Sequence, residues 1–149
     1  MNTPKTGNAA YLFLILWKAW RAVELVDRRS IQGLGIGCFS DFILMEALLH
    51  KGPQNVSELG ARIGLTSGSV TTAVQRLEKR GWVEREASPT DGRSSVISLS
   101  DSGCEVITVA FASHTEQLAR VFAPLDRTER ETLVRLLKKV GLTAEAIML

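Results

Sequence analysis

Only two cysteines occur in 149 residues, Cys38 and Cys104. They are too few and too far apart for a disulfide scaffold or a zinc site, and they suit a reducing cytoplasm. Histidine is equally scarce: His50 and His114 stand far apart and in no motif. Without a cluster of nucleophile, base or metal ligands, neither an enzyme nor a bound metal or cofactor is expected. Gly33, Gly35 and Gly37 precede a helix but lack the strand before them and the lysine of a phosphate-binding loop. Net charge is only +2, from 18 basic and 16 acidic residues. That excludes a protein coating nucleic acid by bulk charge, so any such binding must come from a local patch. No long apolar run exists either. Tyr11 to Trp17 is too short to span a bilayer, Lys18 and Arg21 follow at once, and no small-residue cleavage site appears. Internal repeats and low-complexity segments are also missing.

What is present is an ordinary globular composition, 45% hydrophobic and 23% charged, in a chain long enough for one domain with its own core. The stretch from Asn55 to Gly103 organises it. Asn55 and Glu58 have capping-box spacing in front of a short helix carrying Leu59 and Ile63 on one face. Gly64-Leu65 makes a turn, and Thr66 caps a longer helix running to about Arg80. Gly81 then accepts the left-handed backbone that ends a helix. Two β-prone runs, Trp82 to Glu86 and Ser94 to Leu99, flank the breaker-rich loop 87–93. The pattern predicts a helix-turn-helix followed by a two-stranded wing.

On the longer helix, Val70, Val74 and Leu77 recur at helical spacing and predict a buried side. Gly68, Thr72, Gln75, Arg76 and Lys79 fall opposite, with Ser67, Ser69 and Thr71 at its start or flank. Small hydroxyl residues near the N-terminus let a backbone approach, while amide and guanidinium groups reach base edges or phosphates. Any one of these residues would suit a plain solvated face. Together with Arg80, Arg85 and Arg93 they make a basic patch, and duplex DNA is the expected partner.

The flanks are helical. Ala10 to about Arg29 is apolar on most sides in its first half, which predicts burial on more than one face and so a subunit interface. Ser30 to Gly37 reads as a loop. Cys38 to about Lys51 forms the next helix, with Phe39, Phe42, Leu44, Met45, Leu48 and Leu49 supplying apolar contacts. After the wing, Ser100 caps a helix reaching about Phe122. Asp126 and Glu129 repeat the capping spacing before Leu133, Leu136, Leu137 and Val140.

Several of these pieces resemble the MarR family of bacterial winged helix-turn-helix transcription regulators. They are Ser57-Glu58-Leu59, the run Leu65 to Thr71, Arg76-Leu77-Glu78-Lys79-Arg80-Gly81, Asp91-Gly92-Arg93 and Leu99-Ser100-Asp101-Ser102-Gly103. The resemblance covers essentially the whole chain and implies a mainly α fold with a small β-wing. It implies a single domain over 1–149, with the winged helix at about 39–100 and dimerisation helices at about 10–31 and 101–149. It also places Arg93 in the minor groove with Asp91 supporting the wing, which suits the negative potential of a narrow groove; a plain surface ion pair is the alternative. Thr72 stands where members of the family often carry arginine, so weight for base reading shifts to Gln75 and Arg76. A twofold dimer would set two recognition helices roughly 34–36 Å apart on an inverted repeat. The expected function is a cytoplasmic, sequence-specific repressor acting as a homodimer. A winged helix used only for protein contacts, as an antirepressor or scaffold, is the alternative reading.

MarR-type regulators commonly bind small aromatic or phenolic effectors. Trp17, Trp20, Phe42 and Met45 are candidates for such a pocket, although core packing is the simpler reading of aromatic residues on apolar helices. Cys38 takes the N-cap position where related sequences usually have threonine or serine. The positive end of a helix favours a thiolate there, while Asp41 works against it. An inert half-buried thiol is the simpler reading and a redox sensor the sharper one. The neighbourhood from Ser40 to Pro53 resembles the branch of the family responding to quinones and phenolics. Cys104 reads as a small buried residue.

Overall fold

A computed structural model describes residues 7–87 and 95–148. In chain order the elements are α1 (Ala9–Gln32), α2 (Phe39–Lys51), β1 (Gln54–Asn55), α3 (Val56–Ile63), α4 (Ser67–Lys79), β2 (Val83–Ala87), β3 (Ser95–Leu99), α5 (Asp101–Phe122) and α6 (Arg127–Met148). They form two compact units, Met1–Gln117 and Leu118–Leu149. The architecture is the expected one, mainly α with a small sheet. Among the described residues no helix is long and apolar enough to cross a membrane.

Local chemistry sets the helix ends in the first unit. At α3 the Asn55 side chain accepts from Glu58 N at 2.9 Å and Glu58 Oε2 accepts from Asn55 N at 3.1 Å, closing the capping box. Thr66 Oγ1 accepts from Ser69 N at the start of α4. Gly81, at φ 71, takes the left-handed backbone that follows it. α1 runs past Arg29 into residues read as loop. There Ser30 Oγ donates to the Asp27 carbonyl and meets His114 Nδ1, each at 2.7 Å, and Ile31 is buried. These contacts hold the last turn that local composition alone would leave open.

The wing is part of a larger sheet than expected. β3 lies between β1 and β2, both antiparallel to it. Gln54 pairs with Ile97 and Asn55 with Val96 on one side, while Val83 to Ala87 pair with Leu99 to Ser95 on the other. The two-stranded reading missed β1 because two residues directly ahead of a helix carry no alternation to detect.

The core of this unit is shared among elements. Phe42, Leu44 and Met45 come from α2, Leu59 from α3, Val70, Val74 and Leu77 from α4, Ile97 from β3 and Ile107 from α5. Burying each large side chain contributes about 1.5–3 kcal/mol, against about 1 kcal/mol for a cap. Burial therefore selects the fold, and caps trim its ends.

The wing meets α5 through backbone. Ser100 N donates to the Trp82 carbonyl at 3.1 Å, and the hydroxyls of Ser100 and Ser102 donate to the Gly81 carbonyl. Gly103 closes this junction, since a Cβ there would lie 1.8 Å from the Trp82 oxygen. Only glycine fits that approach.

In the second unit, Asp126 Oδ1 accepts from Glu129 N at 2.8 Å and Glu129 Oε2 accepts from Asp126 N at 2.9 Å, the second capping box. No residue of α6 is buried, although Leu136, Leu137, Val140, Leu142 and Ile147 lie along it.

Candidate nucleic-acid interface

α4 presents its polar side outward, as its spacing requires. Val70, Ala73, Val74 and Leu77 are buried. Ser67, Gly68, Ser69, Thr72, Gln75 and Lys79 are exposed, and Thr71 is half-buried. Its first turn carries no acidic side chain, so the positive end of the helix is left unopposed from within that turn. The Thr66 and Ser69 hydroxyls lie 3.0 Å apart, and Thr72 Oγ1 donates back to the Gly68 carbonyl at 2.9 Å. Each hydroxyl oxygen retains acceptor capacity.

The basic residues of the patch have unequal freedom. Arg80 donates to the carbonyls of Gly35 and Ile36 and lies over the Trp82 ring, 4.0 Å from its centroid. It ties the turn after α1 to the start of the wing. Arg85 pairs with Glu78 at 3.3 Å, bridging β2 to α4. Arg76 binds across to α2: its Nε lies 3.2 Å from both Asp41 carboxylate oxygens, and its Nη2 donates to Asp41 Oδ1, Cys38 Sγ and Ser40 Oγ. The hydrogen bond with Asp41 raises the Arg76 pKa above its ordinary value, partly offset by burial. The stability linked to that shift is present below the unfolded pKa and is lost only as pH rises through the folded one, far above any working pH. Lys79 is exposed. Sequence spacing placed Arg76 and Lys79 on one face, with Arg80 and Arg85 following in the same helix and wing, but held no sign of the partners of Arg76 and Arg80, which lie up to 45 residues away. Arg93 and Asp91 fall outside the described residues.

The four aromatic-pocket candidates separate. Phe42 and Met45 have no accessible surface. They belong to the core, with Phe42 edge-on to the His114 ring at 5.0 Å. Their neighbours on α2 pack inward on the same stripe, which is why spacing alone did not distinguish the two roles. Trp17 and Trp20 are exposed on α1, with Arg21 over the Trp17 ring.

Cys38 is the N-cap of α2 without capping it through its side chain. It is exposed, and its Sγ lies 3.0 Å from Ser40 Oγ and 3.1 Å from Arg76 Nη2. Cys104 is exposed as well, correcting the expectation of burial: in α5 the inward positions are Gly103, Ile107 and Ala110. Ser30, His114 and Asp27 resemble a nucleophile, base and orienting acid on paper. Here the His114 ring is buried and the Ser30 hydroxyl donates to the Asp27 carbonyl, so the group joins α1 to α5.

Known proteins match this arrangement. Residues 39–94 match the signature of the MarR family. The chain is 31% identical over 147 residues to the uncharacterised HTH-type transcriptional regulator YkoM of Bacillus subtilis (strain 168), covering 99% of this chain and 95% of YkoM. It is also 31% identical to the HTH-type transcriptional regulator MhqR of the same strain, over 94% of this chain and 96% of MhqR. The fold is similar to that of a cysteine-to-serine mutant of Escherichia coli MarR in complex with operator DNA. There the TM-score is 0.74 at 23% identity, with 87% of this chain and 92% of the other covered. These relatives are regulators and not enzymes. With an exposed polar recognition helix, a wing and whole-length relatives of that kind, the chain belongs to the MarR family and is a DNA-binding transcription regulator of the winged helix-turn-helix class.

Proposed function

We propose that this regulator is a cytoplasmic repressor that binds an inverted-repeat operator as a homodimer. The observation carrying the reading is the pairing of an exposed polar face on α4 with uncovered apolar surface. On α1, Phe13 is 68% and Trp20 60% exposed, and Leu12, Ile15 and Leu16 are exposed beside them. α6 leaves Leu136, Leu137 and Val140 uncovered. Covering a large side chain of this kind contributes about 1.5–3 kcal/mol, and a second copy supplies a matching surface by symmetry. Two copies would then present two α4 helices to successive major grooves. We assign DNA contacts to Ser67, Ser69, Thr71, Thr72, Gln75, Arg76 and Lys79, with Arg93 entering the minor groove from the wing supported by Asp91.

A small aromatic or phenolic compound is the proposed releasing signal, bound beside Trp17 and Trp20 where a dimer seam would enclose it. Thiol oxidation or modification at Cys38 is the other proposed route, supported by its exposure and its contact with Arg76.

Selection of bound duplexes from a random library tests the reading. An enriched palindrome, strongly weakened by Arg93→Ala, is the expected result. Enrichment of no sequence even at low salt would remove operator recognition from consideration. Quenching of tryptophan emission by a phenol, lost in Trp17→Phe with Trp20→Phe, tests the effector. Release by an electrophile that persists in Cys38→Ser would remove the thiol.

A further inference from the structure

The outward position of Arg76 on α4 suggests a base reader, but its hydrogen bonds restrict it. A guanidinium has five N–H donors in a planar fork, and bidentate reading of a guanine needs two nitrogens along one edge. Nε faces both oxygens of Asp41, and Nη2 has three acceptors, Asp41 Oδ1, Cys38 Sγ and Ser40 Oγ, for two hydrogens. Among the described residues only Nη1 lacks a partner, and it is left for one from outside. A single nitrogen with two hydrogens suits a phosphate oxygen, which accepts from many directions, and lacks the planar two-nitrogen fork with which an arginine reads guanine.

The surroundings agree. The Asp41 side chain is 4% exposed and the Arg76 side chain 42%, so the carboxylate lies beneath and the cation faces out. Above them Arg76 lines an open concavity with Ser40, Thr66, Gly68, Ser69 and Thr72. Hydroxyls and one fixed cation surround it, at the start of a helix with no acidic residue in its first turn.

We propose that Asp41 is a positioning residue for DNA binding: it holds the Nε–Nη2 edge of Arg76 so that this arginine seats a backbone phosphate of the duplex and does not read a base. The proposal rests on the duplex-binding function and deepens it. Base discrimination on α4 then falls to Gln75 and Lys79, with Thr72 presenting a small contact about one turn before Gln75. Ser40, on α2, joins the interface as a second residue beside the phosphate, although helix-turn-helix spacing does not include it.

Charge makes the test decisive. Asp41→Asn keeps the shape of the side chain while removing a negative charge near DNA. If Asp41 were a bystander, the selected duplex would bind more tightly, because less repulsion remains. Positioning requires the opposite, a roughly tenfold weaker complex, and no further weakening when Asp41→Asn is added to Arg76→Gln. Arg76→Gln should weaken selected and scrambled duplexes by the same factor and reduce the slope of log affinity against log salt by about one. Removing Arg76 leaves the buried Asp41 carboxylate without its cation and risks unfolding, so Arg76→Lys supplies a variant that leaves Asp41 a cation. Its expected result is an unchanged salt slope and an unchanged base-preference profile, with affinity lowered a few-fold. Lost preference at one base position in Arg76→Lys, or tighter binding by Asp41→Asn, would overturn the proposal. If the wild-type protein enriches no duplex, operator recognition itself fails, which is a separate result from either.

Discussion

Helices α4 and α6 are both capped at the N-terminus by side chains and both carry an apolar stripe, yet four residues of α4 are buried and none of α6 is. The stripe of α4 is completed inside its own unit by α2, α3 and the sheet, leaving its polar side as the free surface. The stripe of α6 has no buried residue among the described residues. An element of the first kind is stable through folding alone, whereas one of the second kind gains stability from whatever covers it and so depends on concentration. A DNA-reading helix benefits from the first arrangement, because its outer residues are presented from a fixed base.

The contrast can be broken from either side. Leu77→Ala, in the buried stripe of α4, should lower unfolding free energy by about 2–5 kcal/mol, measured by urea denaturation. Placing Glu at both Leu136 and Leu137 of α6 should change the intrinsic stability of the winged-helix unit by less than about 1 kcal/mol. It should nevertheless convert the protein to monomers in sedimentation and weaken binding to an inverted repeat. A dimer that persists in this variant would remove the α6 stripe from the proposed interface. The two capping boxes sharpen the contrast further. Asn55→Ala should cost about 1 kcal/mol at every protein concentration, while Asp126→Ala should cost a similar amount whose effect on melting varies with concentration. Smallest is Glu78→Gln, which loosens the partly exposed pair with Arg85 and should shift stability by less than about 1 kcal/mol.

Features set within a few residues were legible in the sequence. The capping boxes at Asn55 and Asp126, the Thr66 cap, the Gly81 stop and the inward stripe of α4 depend on spacings of three or four, and each is found where expected. The candidate site was legible as a face and not as a network. Arg76 reaches Asp41 across 35 positions and Arg80 reaches Gly35 across 45, separations at which composition and periodicity hold no information. The same limit applies to Phe42 and Met45, for which core packing was the simpler reading of the sequence and which are buried in the core. Ser30 to Gln32 joined α1 for a related reason, since the contact with His114 comes from a helix more than eighty residues later.

Gly103 has a consequence for how this protein can diverge. At that junction main chain rests on main chain, with the Trp82 oxygen occupying the space a methyl group would need. Substitutions elsewhere can change what the wing touches, how strongly it is charged and which groove it prefers. They cannot insert a spacer between the wing and α5 at this point, because no side chain lies there to be lengthened or shortened. The wing is thus free to vary in chemistry while its point of suspension stays constant, and relatives with different operators can share a single hanging point for this part of their reading surface.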